Sequence, residues 1–192
     1  MDFSSEQKLI FNTEEVGTFI RRISESISAE FNGARMDSVA FIGLQQNGVP
    51  LARRIARQLR EIRSCDPPIG TLDISMYRDD IGMRKTLPLI HETLIPFDIN
   101  GKILVLTDGV LQTGRSIRAA LDAITDFGRP ALIRLAVLID RGLREFPIRA
   151  DYVGEMISIP REERVKVSWA EYTGSDAVYS VPGTNDANGM TR

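Results

Sequence analysis

Three short, predominantly apolar runs do most to constrain how this chain can fold. They are Ser38–Leu44, Lys102–Asp108 and Ala131–Ile139. Each is short for a helix and lacks the apolar–polar alternation of a strand with one wet face. Each therefore reads as a strand covered on both faces. Segments of helical periodicity lie between them. Asn12-Thr13-Glu14-Glu15 has the form of a capping box, and Val16, Phe19, Ile20, Ile23, Ile27 and Phe31 then recur at helical spacing until Asn32-Gly33. Leu51, Ile55, Leu59 and Ile62 mark a second helix, broken by Asp66-Pro67-Pro68, and Ile117, Ala120, Leu121 and Ile124 mark a third. Buried strands alternating with helices predict an α/β domain built on a mainly parallel sheet.

The remaining segments are weaker signals. Gly70–Tyr77 alternates as a strand would, and shorter strands are expected near Tyr152–Ser158 and Val165–Trp169. Residues 78–100 are charged and aperiodic and read as a long loop, a feature more often functional than accidental. A single domain over residues 1–181 accounts for these elements. The Gly/Asn/Asp-rich stretch 182–192 is expected to be a disordered tail. With 43% hydrophobic residues the chain can bury a core, yet no run reaches the ~18 residues of a membrane span. The N-terminus has no basic segment followed by an apolar one, so no secretory signal is expected. Cys65 is the only cysteine, so neither an internal disulfide nor a cysteine-built zinc site can form. A cytoplasmic setting follows most simply. The net charge of −2 confines any nucleic-acid binding to a local basic patch.

Ligands of parallel sheets bind beyond the carboxyl ends of the strands, which directs attention to the turns after Leu44 and Asp108. After Asp108 the chain reads Gly109-Val110-Leu111-Gln112-Thr113-Gly114-Arg115-Ser116. A buried strand delivers an acid, and a short loop then brings Thr-Gly-Arg-Ser to a helix N-terminus. Unpaired N–H groups and the helix dipole there favour an anion. Gly114 permits close approach, and the hydroxyls of Thr113 and Ser116 add donors. The arrangement suits a phosphate monoester, with Asp108 accepting from a ribose hydroxyl. The competing reading makes Thr113 and Ser116 plain helix caps.

The whole segment resembles the phosphoribosyl pyrophosphate (PRPP) motif of type I phosphoribosyltransferases. Val110–Ser116, the long stretch Asp140-Arg141-Gly142-Leu143-Arg144-Glu145-Phe146-Pro147-Ile148-Arg149-Ala150-Asp151-Tyr152, and Met76-Tyr77-Arg78-Asp79-Asp80 resemble one branch. That branch is the PyrR family of bifunctional pyrimidine-operon regulators and uracil phosphoribosyltransferases, and the likeness runs from about Ile10 to Tyr179. It implies the type I phosphoribosyltransferase fold, a sheet flanked by helices with a small hood. It implies PRPP, uracil and UMP as ligands, Mg²⁺ carried with PRPP rather than held by the protein alone, and pyrimidine-operon mRNA as a partner. A homodimer or homotetramer is implied as well. Asp108 becomes the ribose-binding acid, Gly109–Ser116 the phosphate loop and Gln45-Gln46-Asn47-Gly48 the pyrophosphate turn. Arg78, Asp79, Asp80, Arg84 and Lys85 belong to a flexible loop, and Asp140 and Arg141 to the base pocket.

Two positions depart from the family pattern. The family has two adjacent acids in the motif, whereas here Gly109 follows Asp108. Losing a hydrogen bond to a charged group costs roughly 1.5–3 kcal/mol, one to two orders of magnitude in affinity. The family's pyrophosphate turn usually carries basic side chains, whereas Gln45–Gly48 carries none, which removes charge-assisted contacts. Weak catalysis, or nucleotide sensing through a protein partner without catalysis, follows unless Mg²⁺, Arg84 and Lys85 compensate.

Arg53, Arg57 and Arg60 fall within about 60° on one face of the second helix, opposite Leu51, Ile55 and Ile62. Such a stripe can meet RNA phosphates, and it can equally be a solvated amphipathic face. Arg21 and Arg22 present the same choice. Glu25 stands where the family commonly has a histidine and would repel phosphate. His91, the only histidine, reads as an exposed loop residue rather than a catalytic base, and Trp169 and Phe146 as core or interface.

Overall fold

A computed structural model of the chain describes residues 7–79 and 91–183. The elements run β1 (Lys8–Phe11), α1 (Thr13–Glu30), α2 (Ala34–Asp37), β2 (Val39–Leu44), α3 (Gly48–Arg63), β3 (Ile69–Leu72), β4 (Ile103–Leu111), α4 (Arg115–Ile124), β5 (Leu132–Asp140), β6 (Tyr152–Met156), β7 (Glu163–Ser168), α5 (Ala170–Thr173) and β8 (Ala177–Pro182). Five strands form a sheet of order β3-β2-β4-β5-β6, and every pairing in it is parallel. Strands β1, β8 and β7 form a small antiparallel sheet, the expected hood.

The central strands are largely apolar because they separate two cores. Val39 and Phe41 of β2, Ile103 and Val105 of β4, and Leu138 of β5 face α1 and α3. Ala40, Ile42, Leu44, Leu104, Leu106, Leu135 and Val137 face the opposite core with α4. Alternate residues of one strand thus enter different cores, and neither face is left for polar side chains. The predicted N-terminus of α1 is also found. Asn12 Oδ1 accepts from the N–H groups of Glu14 (2.9 Å) and Glu15 (3.1 Å), and Glu15 Oε2 accepts from the Asn12 N–H (2.8 Å).

Several boundaries differ from expectation. The strand read over Gly70–Tyr77 stops at Leu72, and Ser75–Tyr77 is a 3₁₀ turn. Asp73 causes the break, since its Oδ1 accepts from the Ser75 N–H at 2.7 Å and its Oδ2 from the His91 N–H. Strand β4 continues beyond Asp108 to Leu111 because Val110 and Leu111 pair with Ile139 and Asp140. On α3, Leu51, Ile55 and Leu59 are buried, but Ile62 is 45% exposed near the helix end. Strand β8 includes Pro182, placed at the start of the tail by the sequence, and residues 184–192 lie outside the described residues. No helix among the described residues is long and apolar enough to cross a membrane.

Candidate active site

Strands β2, β4 and β5 end at the same edge of the parallel sheet, and the residues singled out by sequence gather there. Asp108 is half-buried on β4. Burial pushes its carboxyl up to about 6, against the opposing pull of the Gly109 N–H, which donates to Oδ1 at 2.7 Å, of the Arg78 charge, and of the Val110 N–H. The chain then leaves the sheet at Gln112. Gly114 adopts φ 91°, a left-handed conformation, and α4 begins at Arg115. Gly114 makes no side-chain cap bond. Thr113 Oγ1 accepts from the Arg115 N–H at 3.3 Å, so the capping reading holds in part for Thr113. Ser116 Oγ instead accepts from Arg78 Nη1 at 2.6 Å.

The Asp140–Tyr152 stretch, quoted above for its resemblance, wraps this loop. The N–H groups of Glu145 and Phe146 donate to the Thr113 carbonyl, and Arg144 donates to the Gln112 carbonyl at 3.0 Å. Arg141 donates to Gln112 Oε1 (2.9 Å) and to the Pro160 carbonyl (3.1 Å); its Nε is buried and meets no acceptor among the described residues. Burial lowers the Arg141 pKa, and the charge of Glu163 offsets the lost water only in part. Asp140 is 5% exposed, and both of its oxygens are engaged, by the Gly142 N–H (2.8 Å) and by Arg144 (2.5 Å). Its visible work is to hold the wrap in place, while Arg141 beside it bonds the Gln112 side chain.

The turn after β2 lies against the same strand. Thr107 Oγ1 donates to the Gly48 carbonyl at 2.7 Å. A Cβ on Gly48 would fall 1.9 Å from the Thr107 carbonyl oxygen, and one on Gly109 would fall 2.7 Å from Asn47 Cβ. Both glycines are demanded by this approach. The peptide between Gln45 and Gln46 is cis. Gln45 Nε2 donates to the Glu92 carbonyl at 3.4 Å, and Gln46 Nε2 lies 3.0 Å from His91 Nε2. His91 is half-buried and borders the turn, rather than standing in an exposed loop. Sequence reading had no signal for this, because 45 residues separate the partners.

Of the flexible-loop residues, Arg78 and Asp79 are described and dock on the start of α4. Asp79 Oδ2 accepts from Arg115 Nη1 at 2.6 Å, and Arg115 also pairs with Glu145 (2.7 Å) and lies over the Phe146 ring (5.3 Å). Asp80, Arg84 and Lys85 lie outside the described residues. Arg53, Arg57 and Arg60 are exposed on α3; Arg60 pairs with Asp66, as does neither of the others. Trp169 is buried, with Arg54 stacked over it at 4.9 Å and held by Asp176 and Glu171.

A parallel five-stranded sheet, an antiparallel hood and a Thr-Gly-Arg-Ser helix start beside a strand-borne acid define the type I phosphoribosyltransferase fold. Residues 6–170 match the phosphoribosyl transferase domain. A hypoxanthine-guanine phosphoribosyltransferase from Bacillus anthracis superposes with a TM-score of 0.69 at 18% identity, covering 92% of this chain and 99% of that one. The hypoxanthine phosphoribosyltransferase of Trypanosoma cruzi gives 0.68, also at 18% identity, over 92% and 98%. These two show the fold. Relatives named Bifunctional protein PyrR are much nearer in sequence. That of Roseiflexus sp. (strain RS-1) is 50% identical over 179 residues, 93% of this chain and 97% of the relative. That of Chloroflexus aurantiacus is 47% identical over 178 residues, with the same coverage. The chain belongs to the PyrR family of the phosphoribosyl transferase domain.

Proposed function

We propose that this protein transfers a phosphoribosyl group from PRPP to uracil, giving UMP and pyrophosphate. The observation that carries the reading is the meeting, at one sheet edge, of Asp108, the Gln112–Ser116 loop and the Gln45–Gly48 turn. The 5′-phosphate is received by the N–H groups at the start of α4 and by the hydroxyls of Thr113 and Ser116. Asp108, ionised, accepts from a ribose hydroxyl. Arg141, whose buried guanidinium has only neutral acceptors, faces the uracil side. The turn's backbone N–H groups receive pyrophosphate. As the glycosidic carbon loses its leaving group and gains positive charge, these contacts stabilise by position and electrostatics rather than by a covalent intermediate. Among the described residues no group of three or more His, Cys, Asp or Glu is placed to hold a metal. Mg²⁺ arrives on PRPP, where it neutralises pyrophosphate charge. The bifunctional relatives favour an active enzyme over a sensor without catalysis. Formation of UMP from uracil and PRPP, with calorimetry of PRPP and UMP, tests the assignment; no turnover and no nucleotide binding would overturn it.

A second reading, regulation through pyrimidine-gene mRNA, has one observation in its favour. Arg53 and Arg57 are exposed on one face of α3 and have no hydrogen-bond or ion-pair partner among the described residues. Glu25, exposed on α1, opposes it. The expected affinity for a pyrimidine leader hairpin is weak and strongly salt-dependent. Neutralising both arginines should flatten the slope of log K against log salt by about 1.5–2; an unchanged slope would remove α3 from any RNA surface. A cytoplasmic homo-oligomer completes the reading, and gel filtration checks the assembly.

A further inference from the structure

Asn47 occupies the N-cap position of α3 yet makes no cap bond. Asparagine at an N-cap ordinarily accepts from the N–H two or three residues ahead. Asn12, at the start of α1, does so twice. The Asn47 carboxamide has no hydrogen-bond partner among the described residues and is partly exposed at the site. Its place there is enforced from both sides. The next residue, Gly48, is seated against β4 so closely that a Cβ would lie 1.9 Å from the Thr107 carbonyl oxygen and 3.2 Å from Asp108 Cα. Across the gap, the absence of a side chain at Gly109 makes room for Asn47, since a Cβ there would stand 2.7 Å from Asn47 Cβ and 3.4 Å from its Cγ. Positions 47 and 109 therefore share one space, and in this chain residue 47 fills it.

We propose that the Asn47 carboxamide binds a hydroxyl of the substrate's ribose, beside the hydroxyl held by Asp108. The inference rests on the phosphoribosyl reading of the site. A vicinal diol presents two adjacent O–H groups, each both donor and acceptor. An ionised carboxylate can only accept, whereas a carboxamide offers a carbonyl oxygen and two N–H donors, so the pair meets a diol in either orientation. Charge agrees as well: a neutral amide next to Asp108 adds no like charge to a carboxyl already pushed up by burial. The neutral turn and the single acid are then one arrangement of two touching residues, not two separate losses.

The test is a cycle between protein and ligand, read by calorimetry with UMP and 2′,3′-dideoxy-UMP. Asn47→Ala should weaken UMP about three- to tenfold, the size of one neutral hydrogen bond, and leave the dideoxy nucleotide unchanged. An equal loss for both ligands, or no loss for UMP, would overturn the proposal. Gly109→Asp alone should gain nothing in UMP affinity, because its side chain meets Asn47. Combined with Asn47→Gly, which vacates the space, it should recover the lost discrimination between UMP and the dideoxy nucleotide. A gain from Gly109→Asp alone, in a protein with an unchanged melting temperature, would also overturn it. If unmodified protein binds neither nucleotide, the phosphoribosyl reading itself falls and takes this proposal with it; binding of UMP with no dependence on Asn47 sinks the proposal alone.

Discussion

The Gln112–Ser116 loop is surrounded by guanidinium groups, whereas the Gln45–Gly48 turn, seated against the same strand, is lined by neutral amides. Arg78 reaches Ser116, Arg115 starts the helix, Arg144 holds the Gln112 carbonyl and Arg141 holds the Gln112 side chain. The turn is tied instead by Gln45, Gln46 and His91 and by the backbone contact of Gly48 with Thr107. The difference lies in how each is made rigid. The loop leaves the sheet and needs a wrap of charged side chains to keep its shape. The turn is pressed onto β4 by steric contact and needs none. Among the described residues, an anion at the loop therefore meets charge as well as N–H groups, and an anion at the turn meets dipoles.

The harshest way to break this comparison is to place a negative charge in the loop. Thr113→Glu should abolish UMP binding, a loss of at least about a hundredfold from like-charge repulsion and the filled cradle. Undiminished affinity in a folded variant would show that phosphate sits elsewhere. Asp108→Asn comes next. The folded-state pKa of Asp108 is raised to about 6 from an ordinary 3.8, so the folded protein holds this proton more tightly than the unfolded chain. Its stabilising share is complete below about pH 4 and is lost as pH rises through 6, a change of at most about 3 kcal/mol. Asn cannot titrate, so the stability of Asp108→Asn relative to the parent should increase between pH 5 and pH 8. Denaturant melts at the two values check this, and a constant difference would mean that the carboxyl is not perturbed.

Smaller effects sharpen the contrast. Gln46→Lys puts into the exposed turn the charge that it lacks. PRPP affinity should rise about three- to tenfold at low salt, and the gain should shrink as salt is added. A salt-independent gain would point to altered packing instead. The mildest prediction concerns Arg115, whose pairs with Asp79 and Glu145 are all about 36–39% exposed. Arg115→Ala should change unfolding free energy by less than about 1 kcal/mol, because exposed pairs are screened by water. A larger loss would show that its stacking on Phe146 carries the contact.

Much of the site was legible because its signals are local. Asp108, Gly114 and Ser116 lie within nine residues of one another, and the strand before them and the helix after them have clear periodicities. The wrap by Asp140–Tyr152 was visible as a motif, but its purpose was not. Only the fold brings the N–H groups of Glu145 and Phe146 to the Thr113 carbonyl. Strands β1 and β8 were not expected from the sequence; β1 is a short edge strand of half-exposed residues with a register shift between Leu9 and Phe11. The Gly70–Tyr77 segment was over-read, since alternation continued past the point where the Asp73 side chain captures the backbone.

The sequence by itself determined the architecture. Apolar runs without alternation can be satisfied only between two helix layers, and helical repeats between them force parallel crossovers. It also determined that an acid and a Thr-Gly-Arg-Ser helix start stand at one strand end. Tertiary structure alone decided that Asn47 and Gly109, 62 positions apart, compete for one space, and that His91 borders the Gln45–Gly48 turn. Periodicity reports which face of an element is buried. It carries no record of which two turns a parallel sheet will lay side by side, because that depends on strand order, and strand order is set by the packing of the whole chain.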